Sequence, residues 1–130
     1  MKTIFTNGCF DLLHRGHVDL LKYCKTLGDW VIVGLNSDAS IKRLKGIDRP
    51  INSEDDREHI LMALKYVDEV IIFDDDTPYE LIKSLQPDII VKGGDYDCKN
   101  VVGNDLCEVK IFEYVEGYST TKTIQHFSDR

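Results

Sequence analysis

At 130 residues the chain is long enough to enclose one hydrophobic core and too short for two ordinary domains, so a single domain over 1–130 is expected. A hydrophobic content of 42% against 30% charged residues is that of a soluble globular protein. The net charge of −7, from 23 acidic and 16 basic side chains, argues against nonspecific binding to nucleic acid or an anionic membrane, since both need a basic face.

The first run, Thr3-Ile4-Phe5, reads as a strand, and Leu20, Leu21, Cys24 and Leu27 recur at helical spacing after it, up to a stop at Gly28. Between them lies Thr6-Asn7-Gly8-Cys9-Phe10-Asp11-Leu12-Leu13-His14-Arg15-Gly16-His17. A strand that passes through a glycine turn into a helix start is a common way to meet a phosphate. Trp30–Leu35 is a near-continuous apolar run, as for a strand buried on both faces, and Asn36-Ser37-Asp38 opens a short helix to about Leu44. A basic loop follows at Lys45-Gly46-Ile47-Asp48-Arg49-Pro50. Ser53 is a good N-cap for a helix whose inner face carries Ile60, Leu61, Leu64 and Val67.

Glu69–Phe73 reads as a third buried strand, followed by the acidic turn Asp74-Asp75-Asp76, taken as solvated rather than metal-binding. Thr77-Pro78-Tyr79-Glu80 has the pattern of a capping box, with Leu81, Ile82 and Leu85 facing inward and Pro87 ending the helix. Ile89-Ile90-Val91 is a fourth strand leading into Lys92-Gly93-Gly94-Asp95-Tyr96. The stretch Asp97–Leu106 leaves room for a short helix, Val109–Phe112 is a fifth strand, and Ser119-Thr120-Thr121 starts a last helix ending near Phe127. Apolar strands separated by helices predict an α/β fold: a doubly wound, five-stranded parallel sheet with helices on both faces, Rossmann-like.

In such sheets ligands bind beyond the carboxyl ends of the strands, where strand order reverses. The residues with no packing role fall there, after strands one, two, four and five. Gly8 and Gly16 allow close backbone approach, Lys42, Lys45 and Arg49 supply cations, and Ser119–Thr121 sit at a helix start, a set suited to several phosphates. Neither the dinucleotide fingerprint nor the Walker P-loop is present, which argues against a dehydrogenase or P-loop kinase. His14 and His17 lack a third zinc ligand, because His59 and His126 fall in other helices and Cys9 is the one nearby thiol. The four cysteines form no C-x-x-C pair, no apolar leader precedes the first strand, and no run spans a bilayer, so a reduced, cytoplasmic setting is expected.

The stretch Thr6–His17, with its His-x-Gly-His ending, resembles the signature of the cytidylyltransferase-like nucleotidyltransferases, and Gly117-Tyr118-Ser119-Thr120-Thr121-Lys122 resembles their second signature. Asn36–Ser40, Lys42–Gly46, Arg49-Pro50 and Val91–Tyr96 are most similar to the adenylyltransferase branch that makes ADP-heptose for lipopolysaccharide or other surface glycans. The competing branch is glycerol-3-phosphate cytidylyltransferase, which resembles Arg-Thr-Glu-Gly where this chain has Tyr114-Val115-Glu116-Gly117, and which lacks Lys92–Tyr96. A non-catalytic nucleotide-binding module is the alternative from another class.

The resemblance implies AMP transfer from ATP to a sugar 1-phosphate, with Mg²⁺ bridging the phosphates and few protein ligands on the metal. It implies catalytic roles for His14, His17 and Lys45. Asn7, Gly8, Cys9, Phe10, Gly16, Lys92, Gly94 and Asp95 would surround the nucleotide, and Ser119, Thr120 and Thr121 would hold its outer phosphates. Asp38 and Lys42 would face the acceptor; Asp11 would either cap its turn or join them, and Arg57 would either be solvated or reach the substrates. Cys9 is expected to be small for backbone access rather than reactive, and Tyr114 and Tyr118 either shape the sugar pocket or pack. The resemblance further implies a homodimer and, since 130 residues leave no room for a fused sugar kinase, a separate kinase supplying the acceptor.

Overall fold

The computed structural model describes residues 1–94 and 97–113, and over them the apolar runs form one parallel sheet. In chain order the elements are β1 (Thr3–Gly8), α1 (Arg15–Leu27), β2 (Trp30–Asn36), α2 (Asp38–Lys45), α3 (Glu54–Met62), β3 (Glu69–Phe73), α4 (Tyr79–Leu85), β4 (Ile89–Gly93) and β5 (Glu108–Phe112). A 3-10 turn occupies Cys98–Asn100, within the stretch where the sequence left room for a short helix. The strand order is β3-β2-β1-β4-β5, with every neighbouring pair parallel. The chain winds outward from β1 through β2 to β3, then returns to the other side of β1 for β4 and β5. The reversal puts a crevice at the carboxyl ends of β1 and β4.

Alternation along the central strands sends successive side chains to opposite faces. Ile4, Val31, Val33, Ile89 and Val91 pack with Leu20, Leu21 and Cys24 of α1 and Leu61 of α3. Phe5, Ile32 and Ile90 face the other way, against Ile82 of α4 and Val101. Each such side chain taken fully out of water contributes roughly 1.5–3 kcal/mol. Burial pushes the Cys24 thiol up to about 12, so it behaves as a small apolar group. No helix of the described residues is long and apolar enough to cross a membrane.

Several local expectations are corrected. The third helix stops at Met62, because the chain tightens into i→i+3 turns: Ala63, Leu64 and Val67 donate to Ile60, Leu61 and Leu64 respectively. Val67 is thereby buried from a turn, while Ile60, expected inside, is 39% exposed. β3 is an edge strand and is only partly buried except at Phe73. Thr77 forms no cap: Pro78 is the N-cap residue of α4 and no side chain caps that helix. At its other end Gln86 adopts the left-handed region and donates to Ile82 O, just before the expected stop at Pro87.

Residues 97–107 lie against the sheet through Gly103. Its φ of +93° disfavours any side chain, and an added Cβ would lie 2.7 Å from Ile90 Cδ1 and 3.1 Å from Ile82 Cδ1. Both isoleucines are fully packed. Gly103→Ala is therefore expected to cost about 2–4 kcal/mol. In a urea titration this appears as a lower midpoint with an unchanged slope.

Candidate active site

The segment after β1 is shaped by two residues in a disfavoured conformation. Phe10 and Leu12 have φ of 47° and 55°, each costing about 1–2 kcal/mol for a residue with a side chain. The Phe10 ring folds back on the strand end, where a Cβ on Gly8 would come within 3.1 Å of it. Asp11, held between the two, turns inward and is 1% exposed. Its carboxylate accepts from Ile51 N at 2.6 Å and Asn52 N at 2.9 Å, with Arg49 Nε 3.7 Å away. Of the roles open to Asp11 from sequence, the geometry supports fixing a loop. It ties the β1 turn to the segment that begins at Lys45.

His14 and His17 build the start of α1. His14 is the N-cap, and its Nδ1 accepts from Gly16 N at 3.0 Å. His17, three residues on, accepts from His14 N through Nδ1 at 3.2 Å, so the pair forms a capping box with imidazoles in place of Ser and Glu. The two rings stack with centroids 3.9 Å apart, and the Phe10 ring tilts against His17 at 5.3 Å. With both Nδ1 atoms accepting, the neutral rings carry their protons on Nε2. The Gly16 N–H is used by this cap, so Gly16 contributes its lack of a side chain to the turn.

Burial, followed by the charges of His14 and Lys45, lowers His17 to about 4; burial also lowers His14. At neutral pH His17 is thus an uncharged N–H donor. The unfolded chain has the ordinary value of 6.5, so between pH 6.5 and 4 it binds a proton the folded chain refuses. Stability is full above that window and declines as pH falls through it, by about 3 kcal/mol in all. His17→Gln should remove this part of the slope, so that its Tm falls less than that of the wild type between pH 7 and 5.

Arg57 is placed differently from either role considered for it. Its side chain is fully buried and reaches from α3 to the ends of β1 and β2. Nη1 donates to Cys9 O and Asn36 O, each at 2.8 Å; Nε donates to Asn52 O at 3.0 Å; and Nη2 pairs with Asp38 at 2.8 Å. It therefore joins the ends of β1 and β2 to the 46–52 loop. Asp38, expected toward the acceptor, is committed to this bridge, and its own N–H donates to Glu54.

Lys45 closes α2 and, with Asn7, Gly8, Cys9, Asn36 and Lys92, lines a cleft of about 490 Å³ at the carboxyl ends of β1, β2 and β4. Burial lowers the Lys92 ammonium, the nearby Cys9 raises it, and Lys45 lowers it further. The charge of Lys45 lowers both His17 and Lys92, and Lys45 and Lys92 line the same cleft. Lys42 is exposed on α2 and is not among the cleft's lining residues. The N–H of Gly94 donates to Phe112 O, joining the ends of β4 and β5. Asp95, Ser119, Thr120, Thr121, Tyr114, Tyr118 and the last helix lie outside the described residues.

Sequence reasoning missed Asp76, Thr77 and Asn100, all of which line the cleft. The rule that found the other strand ends applies equally to the end of β3, but three consecutive aspartates there read as a solvated turn. They are exposed yet anchored. Asp74 accepts from Ser37 Oγ, its carbonyl accepts from Arg43, and Asp76 accepts from Arg43 Nε at 3.0 Å.

A family model described as cytidylyltransferase-like matches residues 5–125. The bifunctional protein HldE of Nitratiruptor sp. is 59% identical over 125 residues, which are 95% of this chain and 27% of that protein. HldE of Wolinella succinogenes is 58% identical over 95% of this chain and 26% of its own length. The chain thus spans about a quarter of the curated relatives it matches. A lipopolysaccharide core biosynthesis protein from Thermoplasma volcanium superposes with a TM-score of 0.74 at 31% identity, covering 92% of this chain and 99% of that one.

Proposed function

The chain belongs to the cytidylyltransferase-like family, and from that premise we propose that it transfers AMP from ATP to heptose 1-phosphate, releasing pyrophosphate and forming ADP-heptose for surface glycans. The observation that carries the reading is the imidazole capping box beside Lys45: two Nε2–H groups, neutral at pH 7, fixed at a helix start next to a cation. The identity to HldE proteins, and the likeness to a protein named for lipopolysaccharide core biosynthesis, support the sugar and the pathway class.

In the proposed reaction an acceptor phosphate oxygen attacks the α-phosphorus, a new P–O bond forms, and the bond to the bridging oxygen breaks toward pyrophosphate. No protein nucleophile is needed, so catalysis is positioning and charge stabilisation. His14 and His17 donate to the phosphate oxygens as negative charge grows toward the leaving group. Lys45 and Lys92 neutralise the phosphates that meet between them. Ser119–Thr121 are proposed to hold the outer phosphates. Among the described residues no three metal-ligating side chains converge, and Asp11 is occupied by backbone amides. Mg²⁺ is accordingly proposed to arrive with the triphosphate, on phosphate oxygens and water. A homodimer in the cytoplasm is the proposed setting.

The test is pyrophosphate release from ATP, CTP, GTP and UTP against heptose 1-phosphate and glycerol 3-phosphate. ATP with heptose 1-phosphate should lead the panel. A preference for CTP with glycerol 3-phosphate would replace this reading by the other branch, and binding of nucleotide with no release from any pair would favour a non-catalytic module.

A further inference from the structure

The loop after α2 has its polar and apolar groups the wrong way round for a settled surface. The Arg49 side chain is 16% exposed, and its Nε and Nη2 are buried with no hydrogen-bond partner. It faces the Asp11 carboxylate at 3.7 Å, beyond hydrogen-bond reach, and that carboxylate is already met by Ile51 N and Asn52 N. Ile47, by contrast, is 86% exposed, and Leu44 and Ile51 on either side of it are more than half exposed. Buried donors without acceptors and a run of exposed large apolar side chains are both unfavourable, and both occur between Leu44 and Ile51.

On the transferase reading, and depending on it, we infer that this loop is the open form of a strap: when the triphosphate binds, residues 46–50 close over it and Arg49 becomes a further phosphate-binding residue. The attachments of the loop permit the movement. At its far end Ile51 and Asn52 are pinned to Asp11, and Arg57 Nε holds Asn52 O. At its near end Gly46 has a φ of +105°, and a Cβ there would meet nothing within 4 Å, so the backbone stands clear of the rest of the molecule. Between these ends the loop bonds to itself, Arg49 N donating to Gly46 O at 3.2 Å. Position selects the triphosphate as the occupant. Lys45, just before the loop, lines the cleft, and Asp11, at its anchored end, belongs to the turn that carries the histidine pair. A phosphate between them offers the charged acceptors that the Arg49 fork lacks. Asp11 keeps both of its backbone donors when the guanidinium turns away.

Hydrogen exchange on the wild-type chain reads the closure directly. ATP with Mg²⁺ and no acceptor, at a concentration that calorimetric titration shows to be saturating, should slow the amides of Ile47, Asp48 and Arg49 by about tenfold or more. The amides of Ile51 and Asn52, already bonded to Asp11, should not change, and heptose 1-phosphate alone should slow none of them. Arg49→Met should unfold cooperatively in urea, lose the ATP-induced protection at Ile47 and Asp48, and lose about tenfold or more in kcat/KM for ATP. Arg49→Lys, charged but without the planar fork, should recover part of both losses. Exchange at 47–49 that ATP leaves unchanged, equal slowing by heptose 1-phosphate alone, or wild-type protection in folded Arg49→Met would each overturn the assignment; if Arg49→Met does not fold, the wild-type exchange decides it. Failure of the transferase reading looks different: ATP protects the loop, but no nucleoside triphosphate releases pyrophosphate with either acceptor.

Discussion

His17→Gln is expected to fold and melt close to the wild type while losing about 10²–10³ in kcat, the usual loss on removing one preorganised transition-state donor. The choice of glutamine follows from the geometry. His17 does two things at once: its Nδ1 accepts the His14 N–H and completes the cap, and its Nε2 carries a proton in the neutral ring. Glutamine is a normal third residue of a capping box and keeps the first role, but cannot place a donor where the imidazole does. His17→Ala should lose both, with a similar rate loss and an added stability loss of about 1 kcal/mol. Single-turnover rates and thermal melts on the three proteins separate the contributions. A glutamine variant with near wild-type kcat would remove His17 from the chemistry.

Arg57→Ala is expected to have the larger effect on stability, about 3–5 kcal/mol, a substantial fraction of the 5–15 kcal/mol typical of a domain. The guanidinium satisfies three backbone carbonyls, those of Cys9, Asn36 and Asn52, and pairs with Asp38. Removing it leaves three backbone carbonyls and the Asp38 carboxylate short of a donor in a space that is buried at Asn36 and part-buried at the other three. Arg57→Lys keeps the charge but not the planar fork, and should recover only part of the loss. Urea titrations of both variants give the comparison. If Arg57→Ala cost under 1 kcal/mol, the bridge would not be what holds the ends of β1 and β2 together.

The legibility of this chain follows the range of the interactions involved. Strand positions were readable because Thr3–Phe5, Trp30–Leu35 and Ile89–Val91 are near-continuous apolar runs, as for strands covered on both faces, and the first helix because Leu20, Leu21, Cys24 and Leu27 recur at helical spacing. The histidine turn stood out in the sequence because its residues are contiguous. Arg57 was not, since its partners Cys9 and Asn36 come from strand ends 48 and 21 residues away, and an arginine in an acidic helix start reads equally well as solvated. Asp11 posed the same problem, its partners lying 40 and 41 residues on. The dual use of His14 and His17 was hidden for another reason. Histidine is not among the usual capping residues, so their spacing pointed to chemistry and concealed the cap. At Leu64 and Val67 the helical period was simply continued past the turn that ends α3.

The most direct test of the account is to incubate the purified chain with ATP, Mg²⁺ and heptose 1-phosphate and to follow pyrophosphate and the nucleotide sugar together by mass. The wild type is expected to give ADP-heptose and pyrophosphate in equal amounts, and folded His17→Gln a rate lower by about 10²–10³. Equal rates from the two proteins, or no nucleotide sugar from the wild type, would contradict it.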